Sequence, residues 1–181
     1  MARAGDTIDI PHTGERIVFR KTTAETDGEF LQLDFFVNPG GFAPRMHVHA
    51  TVEERVTVVS GRVRIWVAGK QRVLGPGESG IFPARLPHTF SAEGEEQLHA
   101  IVDVVPAGNF ETVFETVFGL YADGKSDDHG HEPLLQGVLL ARLSKSYLPG
   151  PPMALQDAFC TLMAPVARLF GHKERYEKYS G

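Results

Sequence analysis

Four side chains of two chemical types, imidazole and carboxylate, are spaced so that they could bind one metal ion. His47 and His49 lie two residues apart, the acidic pair Glu53 and Glu54 follows, and His88 comes after a stretch rich in glycine and proline. Residues two apart in a β-strand project from the same face, so both imidazoles can point to one position, which a helix would not allow. The spacing therefore predicts a site for one divalent metal.

Strand alternation decides between the two carboxylates. Glu54 shares its strand face with Val56 and Val58, and this apolar face suits the interior of the protein. Glu53 lies on the opposite, polar face together with Arg55. Glu54 is therefore the predicted carboxylate ligand. Imidazole and carboxylate together suit Fe, Mn, Ni, Zn or Cu, and the ligand types do not separate these metals.

Composition excludes several classes of function. The 181 residues carry 18 Lys and Arg against 23 Asp and Glu, a net charge of −5, and they contain no basic block, so we expect no nucleic-acid partner. The single cysteine, Cys160, precludes an internal disulfide. With neither a signal peptide nor an uninterrupted apolar span visible, we expect a cytoplasmic protein without a membrane partner.

The elements that must position these residues change type along the chain. Residues 1–105 contain short apolar runs separated by turn signals such as Asn38–Gly41, a pattern typical of antiparallel strands in a barrel or sandwich. After Pro106 the apolar spacing becomes helical, beginning at Phe110 with Asn109 placed to cap the first helix. A second helix is predicted after Pro133. A third is predicted to bury six apolar side chains: Leu155, Phe159, Leu162, Met163, Val166 and Phe170.

The spacing around the ligands resembles the two sequence motifs of the cupin superfamily. The first motif, a glycine, His-x-His, a glutamate and a second glycine, is matched by Gly41, His47, His49, Glu54 and Gly61. The second motif is matched by Gly77, Pro83 and His88. It differs at two positions, since Arg85 stands where glycine is usual and Ala92 where asparagine is usual.

The resemblance implies a mainly β fold, the cupin double-stranded β-helix (jelly-roll-like) barrel, with a C-terminal α-helical extension. Residues 1–105 would form the barrel, and residues 106–181 would pack on it or at a dimer interface. The family binds its metal through the positions that His47, His49, Glu54 and His88 occupy here. Because cupins commonly dimerise, we also expect a homodimer.

Family membership leaves the reaction open, because cupins catalyse varied chemistry. The first hypothesis is a metal-dependent, dioxygenase-like oxygenase acting on a small-molecule substrate, with Glu54 as the catalytic residue that accepts a substrate proton. Arg45 shares the strand face of His47 and His49, so it could hold an anionic substrate group or form a salt bridge at the rim. The alternatives are a non-redox isomerase, lyase or hydrolase, and a small-molecule-binding cupin without turnover.

Overall fold

The computed structural model describes residues 2–179. The strands within this range are β1 (Thr7–Ile10), β2 (Glu15–Lys21), β3 (Leu31–Val37), β4 (Val48–His49), β5 (Glu53–Ser60), β6 (Val63–Val67), β7 (Lys70–Leu74), β8 (Ser79–Phe82), β9 (His88–Ala92), β10 (Leu98–Val105) and β11 (Ser146–Tyr147). The helices are α1 (Phe110–Ala122), α2 (Leu134–Ser144) and α3 (Met153–Leu169), followed by a 3-10 turn at Glu177–Tyr179. The predicted fold, mainly β with C-terminal helices, is confirmed.

The strands form three antiparallel sheets. Six strands pair in the order β1-β2-β3-β10-β5-β8, three in the order β7-β6-β9, and β4 pairs with β11. The prediction of a barrel needs one correction, because the hydrogen-bonded ladder of the described strands does not close on itself. The two larger sheets instead share a hydrophobic core, to which Leu33 and Val102 contribute from the first and Ile65 from the second.

Alternation along the strands builds this core. Every second residue of β10, from Leu98 to Val104, is buried, while the residues between them are partly exposed. The period of two fixes the register, because a slip of one residue would move the apolar side chains to the solvent. Helix α1 packs on the same core through Phe118 and Tyr121.

Two expectations for the helices were wrong. Asn109 precedes α1, but its side chain makes no capping hydrogen bond and donates instead to the carbonyl oxygen of Leu143. Helix α3 is present, yet five of the six residues predicted to be buried on it are exposed, and Met163 is partly buried. Its buried residues are the small ones, Cys160, Ala164 and Ala167. Within residues 2–179, no helix combines the length and apolar character needed to span a membrane.

Candidate metal centre

Three separate segments bring the predicted ligands together. His49 lies in β4, Glu54 in β5, and His88 begins β9. His47 forms a β-bridge with His88, in which each backbone N–H donates to the other residue's carbonyl oxygen, at 3.0 and 2.9 Å. Glu53, the carboxylate not selected, points away and pairs with Arg55 at 2.7 Å.

The ligand atoms of His47, His49, Glu54 and His88 converge on one point. One donor atom from each lies within 4.8 Å of every other. His49 Nε2 is 3.1 Å from His47 Nε2 and 3.4 Å from Glu54 Oε1, and His88 Nε2 is 3.6 Å from Glu54 Oε2. Donor atoms placed about 2.1 Å from one ion would lie roughly 3–4 Å from their neighbours. The spacing therefore fits a single transition-metal ion.

Backbone hydrogen bonds fix the tautomers of two imidazoles. Nδ1 of His47 donates to the carbonyl oxygen of Arg45 at 2.7 Å, and Nδ1 of His88 donates to that of Leu86 at 2.9 Å. Carbonyl oxygens only accept, so the hydrogen of each neutral ring is on Nδ1 and Nε2 carries a lone pair. A metal-binding histidine needs this arrangement, because the bond at one nitrogen orients the other toward the ion.

Neighbouring aromatic rings hold the imidazoles in place. The ring of Phe82 stacks on His88 at a centroid distance of 5.0 Å, and Phe110 meets His49 edge-on at the same distance. Phe110 belongs to α1, so the helical extension already contacts the cluster at this point. Packing on both rings restricts their rotation and keeps the two Nε2 atoms directed at the common point.

Burial and charge favour the forms of the side chains that bind metals. Burial, followed by the nearby imidazoles of His49 and His88, lowers the pKa of His47 to about 3, so its ring is neutral at pH 7. Burial would raise the pKa of the Glu54 carboxyl, but the imidazoles, chiefly His49, outweigh it and hold this pKa well below its usual value. Glu54 is therefore an anion beside three imidazoles.

One ring nitrogen of the cluster is left without a hydrogen bond in the described part of the chain. His88 Nε2 is buried and has no hydrogen-bond partner there. A buried lone pair without a partner is costly, and such atoms are rare in folded proteins. A divalent cation at the common point would satisfy this lone pair together with those of His47 and His49. The donor set and its unpartnered nitrogen thus fit a metal ion.

A residue that the sequence analysis missed supports the third imidazole. Ser146 of β11 lies opposite His49 of β4, and its Oγ is 2.8 Å from His49 Nδ1. As acceptor, this hydroxyl directs the Nε2 lone pair of His49 toward the cluster, as the two carbonyls do for the other rings. The two residues are 97 positions apart, and no local pattern marks Ser146 as a partner of the site.

The two glycines of the first motif lie where a side chain would collide. A Cβ on Gly41 would come within 1.9 Å of Glu15 Oε1, and one on Gly61 within 2.6 Å of the backbone oxygen of Gln97. Arg85, which replaces the usual glycine of the second motif, keeps a glycine-like conformation at φ +67°. Its N–H donates to the carbonyl oxygen of His49 at 2.8 Å, so the turn before His88 is preserved at some conformational cost.

Three residues of the cluster, His47, His49 and Glu54, form part of the wall of a cavity of 380 Å³. Seven phenylalanines are the most frequent residue type in the rest of the lining: Phe35, Phe42, Phe82, Phe90, Phe110, Phe114 and Phe159. The strands supply one side of the cavity, and α1, α2, β11, the first half of α3 and the loop before α2 supply the other. The size is typical of a small-molecule site, and the lining is strongly apolar.

Arg45 lies at the exposed part of this lining. It forms no ion pair with any residue between positions 2 and 179, so the rim salt bridge considered from the sequence is not found there. Among the residues that line the cavity in the described part of the chain, Arg45 is the only arginine.

Comparison with known proteins agrees with the motifs. Residues 34–105 match the family model of the cupin domain, and this range contains all four residues of the cluster. No functionally curated protein matches the sequence.

Several solved structures are similar to part of the chain. A predicted oxalate decarboxylase from Thermotoga maritima is 14% identical, with a TM-score of 0.48, and the match covers 51% of this chain and 80% of that one. KdgF from Halomonas sp. is 19% identical, with a TM-score of 0.49 and coverage of 59% and 90%. An RmlC-like cupin from Shewanella frigidimarina is 20% identical, with a TM-score of 0.47 and coverage of 57% and 85%. None is similar enough to assign a reaction to this chain. The matched family model and the motifs together identify residues 34–105 of this chain as a cupin domain.

Proposed function

We propose that this chain is a metal-dependent, dioxygenase-like oxygenase that acts on a small, largely apolar organic molecule. One observation carries the proposal: three imidazoles and a carboxylate converge on one point beside a cavity whose lining is mainly apolar and includes seven phenylalanines. We assign His47, His49, Glu54 and His88 as the ligands of a divalent transition metal. When bound, iron, manganese, nickel or copper would supply redox chemistry toward dioxygen, with coordination positions left for substrate.

The apolar lining of the cavity favours a reaction that takes place away from bulk water. Phe35, Phe90 and Phe114 offer no hydrogen bonds, so they bind an apolar substrate by contact and keep bulk water away from the cluster. Exclusion of water protects reactive species from hydrolysis and strengthens the electrostatic interactions of Glu54. An apolar substrate and dioxygen would both partition into such a space.

Two residues would handle the polar parts of the substrate. Glu54 lines the cavity as an anion, so its carboxylate can accept a proton from a substrate hydroxyl or activated C–H group. Arg45, which has no ion-pair partner within residues 2–179, would hold an anionic substituent at the outer part of the cavity. A substrate of this kind is an aromatic or aliphatic body with one acidic group.

A non-redox reaction is the second candidate. The same placement of Glu54 beside the ligand imidazoles would suit isomerisation, decarboxylation or hydrolysis, with a metal as Lewis acid and Glu54 as base. Such a reaction would proceed with zinc and without air. Binding of an apolar ligand without any turnover would instead indicate a small-molecule-binding cupin.

The first experiment measures the metal. Full-length protein purified without an affinity tag should contain close to one transition-metal ion per chain by elemental analysis. His49→Ala combined with Glu54→Ala should lose the metal and remain folded by circular dichroism. Glu53→Ala is the matched control, because this neighbouring carboxylate points away from the cluster and should leave the metal content unchanged. Stoichiometric metal in the double variant would disprove the ligand assignment.

The second experiment measures the reaction. Protein loaded with iron, manganese, nickel or copper is assayed for oxygen uptake with a panel of electron-rich aromatic, thiol and diketone substrates. Uptake that requires both metal and substrate supports the oxygenase. Metal-loaded protein that consumes no oxygen with any of them, yet transforms a substrate with zinc under argon, would replace it by the non-redox candidate.

A further inference from the structure

Helix α3 exposes a continuous row of large apolar side chains. Leu155, Phe159, Leu162, Val166 and Leu169 are 65%, 55%, 75%, 37% and 84% exposed, respectively. Their spacing of four, three, four and three residues places them on one side of the helix, along a stripe of the kind that forms helix–helix seams. We call these five residues the α3 face.

The inner side of the helix does not account for this stripe. Small residues make that side, with Ala164 and Ala167 packed against Leu139 of α2. Arg168 is the only charged residue on the exposed positions of α3, and its charge is paired with Glu174. The exposed side of α3 is thus more apolar than the side that packs on the protein. Contiguous apolar surface of this kind marks an interaction site.

We propose that the α3 face pairs with the α3 face of a second copy, with the two helices antiparallel about a two-fold axis at Leu162. A two-fold interface requires that each residue i facing residue j is matched by j facing i. The stripe meets this requirement: Leu155 and Leu169 lie seven residues on either side of Leu162, and Phe159 and Val166 lie three and four residues away. Leu162 would then contact its own counterpart.

The exposed area suits a dimer of ordinary size. With the neighbouring Phe170, which is 70% exposed, the α3 face amounts to almost four fully exposed large apolar side chains. At roughly 150–250 Å² for each, the two copies would each bury on the order of 700 Å², close to the ~800 Å² per partner of a standard stable interface. Ala154 and Ala158 border the stripe and allow the helix backbones to approach closely.

Pairing would also complete the outer wall of the cavity. Phe159 belongs to the α3 face and lines the cavity, and the exposed Leu148 beside α3 lines it as well. A second copy seated on this side would shield both residues from solvent. The dimer is independent of the metal chemistry, since none of its residues belongs to the cluster, and its failure would leave the proposed oxygenase untouched.

The oligomeric state of the full chain tests the proposal. We expect wild-type protein to be a dimer by light scattering coupled to size-exclusion chromatography, and Leu162→Glu to weaken the dimer at least about 100-fold, since two carboxylates would be buried at the axis without partners. Because Leu162 is exposed within one copy, the variant should keep its circular dichroism spectrum. Ile81→Glu is the matched control, placing the same charge on an exposed apolar residue of β8.

Two results would overturn the proposal. One is a wild-type chain that stays monomeric up to about 100 µM. The other is a dimer that survives Leu162→Glu, whether or not Ile81→Glu dissociates it, because the contact would then lie elsewhere. A monomer that binds to lipid vesicles through α3 would assign this face to a membrane surface instead.

Cysteine crosslinking tests the orientation. Leu162→Cys should form a disulfide with itself across the axis, whereas Leu155→Cys should not, because its two copies would be about 21 Å apart along antiparallel helices. Wild-type protein is the control, since its Cys160 is buried on the inner side of α3. Self-crosslinking of Leu155→Cys, or none by Leu162→Cys in a dimer, would contradict the antiparallel arrangement.

Discussion

The hydrogen bond between His49 and Ser146 predicts that the C-terminal extension controls metal affinity. Ser146→Ala removes the Oγ atom 2.8 Å from His49 Nδ1. His49 is only 2% exposed, so water has little access to replace the hydroxyl. Without this acceptor, the His49 ring can place its hydrogen on Nε2, and that tautomer cannot bind a metal. We therefore expect Ser146→Ala to weaken metal binding while all four ligands are still present.

The expected loss of metal affinity can be estimated from the buried Nδ1 group of His49, which loses its hydrogen-bond partner in Ser146→Ala. A buried polar group that loses its partner costs about 1–3 kcal/mol, and loss of a partner that orients a metal ligand lowers metal affinity about 10- to 100-fold. A 10- to 100-fold loss corresponds to roughly 1.4–2.7 kcal/mol, so the two estimates agree. The stability of the metal-free protein should fall by a smaller amount, about 1 kcal/mol, because the alternative tautomer relieves part of the penalty.

Chelator competition with Zn²⁺ or Mn²⁺ as the probe measures this affinity directly. Ser146→Thr keeps a hydroxyl and should bind the metal within a few-fold of wild type. Ser144→Ala removes a buried hydroxyl two residues away, one that donates to the carbonyl oxygen of Leu140, and should lower stability without changing metal affinity. A Ser146→Ala protein that binds the probe as tightly as wild type would refute the reasoning. A wild-type protein that binds neither metal would refute the metal site itself.

Three further predictions concern stability. Burial lowers the pKa of His47 to about 3, so between that value and the usual 6.5 the unfolded chain binds a proton that the folded chain does not. The free energy of unfolding of chelator-treated protein should therefore rise with pH by up to about 1.4 kcal/mol per pH unit. Denaturation measured between about pH 4 and 6 should show that His47→Asn loses this pH dependence. Arg85→Gly should raise the free energy of unfolding by about 0.5–1 kcal/mol, because glycine adopts φ +67° without strain, and Arg85→Ala should change little in the same urea titration. Gly61→Ala should lower the free energy of unfolding by more than about 2 kcal/mol, because its Cβ would lie 2.6 Å from a backbone oxygen. Gly69→Ala is the control, since Gly69 has a similar φ but open space around it, and it should cost about 1 kcal/mol. Equal losses would show that the positive φ alone, and not the collision, destabilises both variants.

The parts of the site that depend on local geometry could be predicted from the sequence. Strand alternation separates Glu54 from Glu53, and the spacing of His47 and His49 places both rings on one side of the chain. The structure brings these residues and His88 within 4.8 Å of one another. Periods of two and 3.6 residues also locate the change from strands to helices between Val105 and Phe110. Each of these features is set by residues close together in the chain.

The features that sequence reasoning missed depend on distant contacts. Nothing near Ser146 indicates that a two-residue strand will pair with β4 and reach His49. The apolar spacing of α3 predicts an amphipathic helix, but it does not say whether the stripe faces the protein or the solvent. Here the small residues Cys160, Ala164 and Ala167 allow the opposite side of α3 to pack closely, and the large residues are left outside. The periodicity of the apolar residues shows which side of a helix is apolar, whereas the packing of the whole chain decides whether that side is buried.

The strands and the C-terminal extension supply different parts of the site. The strands and the loops between them supply the four candidate ligands, and two of the rings are oriented by backbone carbonyls that any side chains in those turns would provide. The extension supplies Ser146 and much of the cavity wall, including Phe110 and Phe114. Changes in the extension away from Ser146 and Phe110, which contact His49, can therefore reshape the cavity without moving the ligands. We expect the residues that select the substrate to lie mainly in the helices, and those that perform the metal chemistry to lie in the strands.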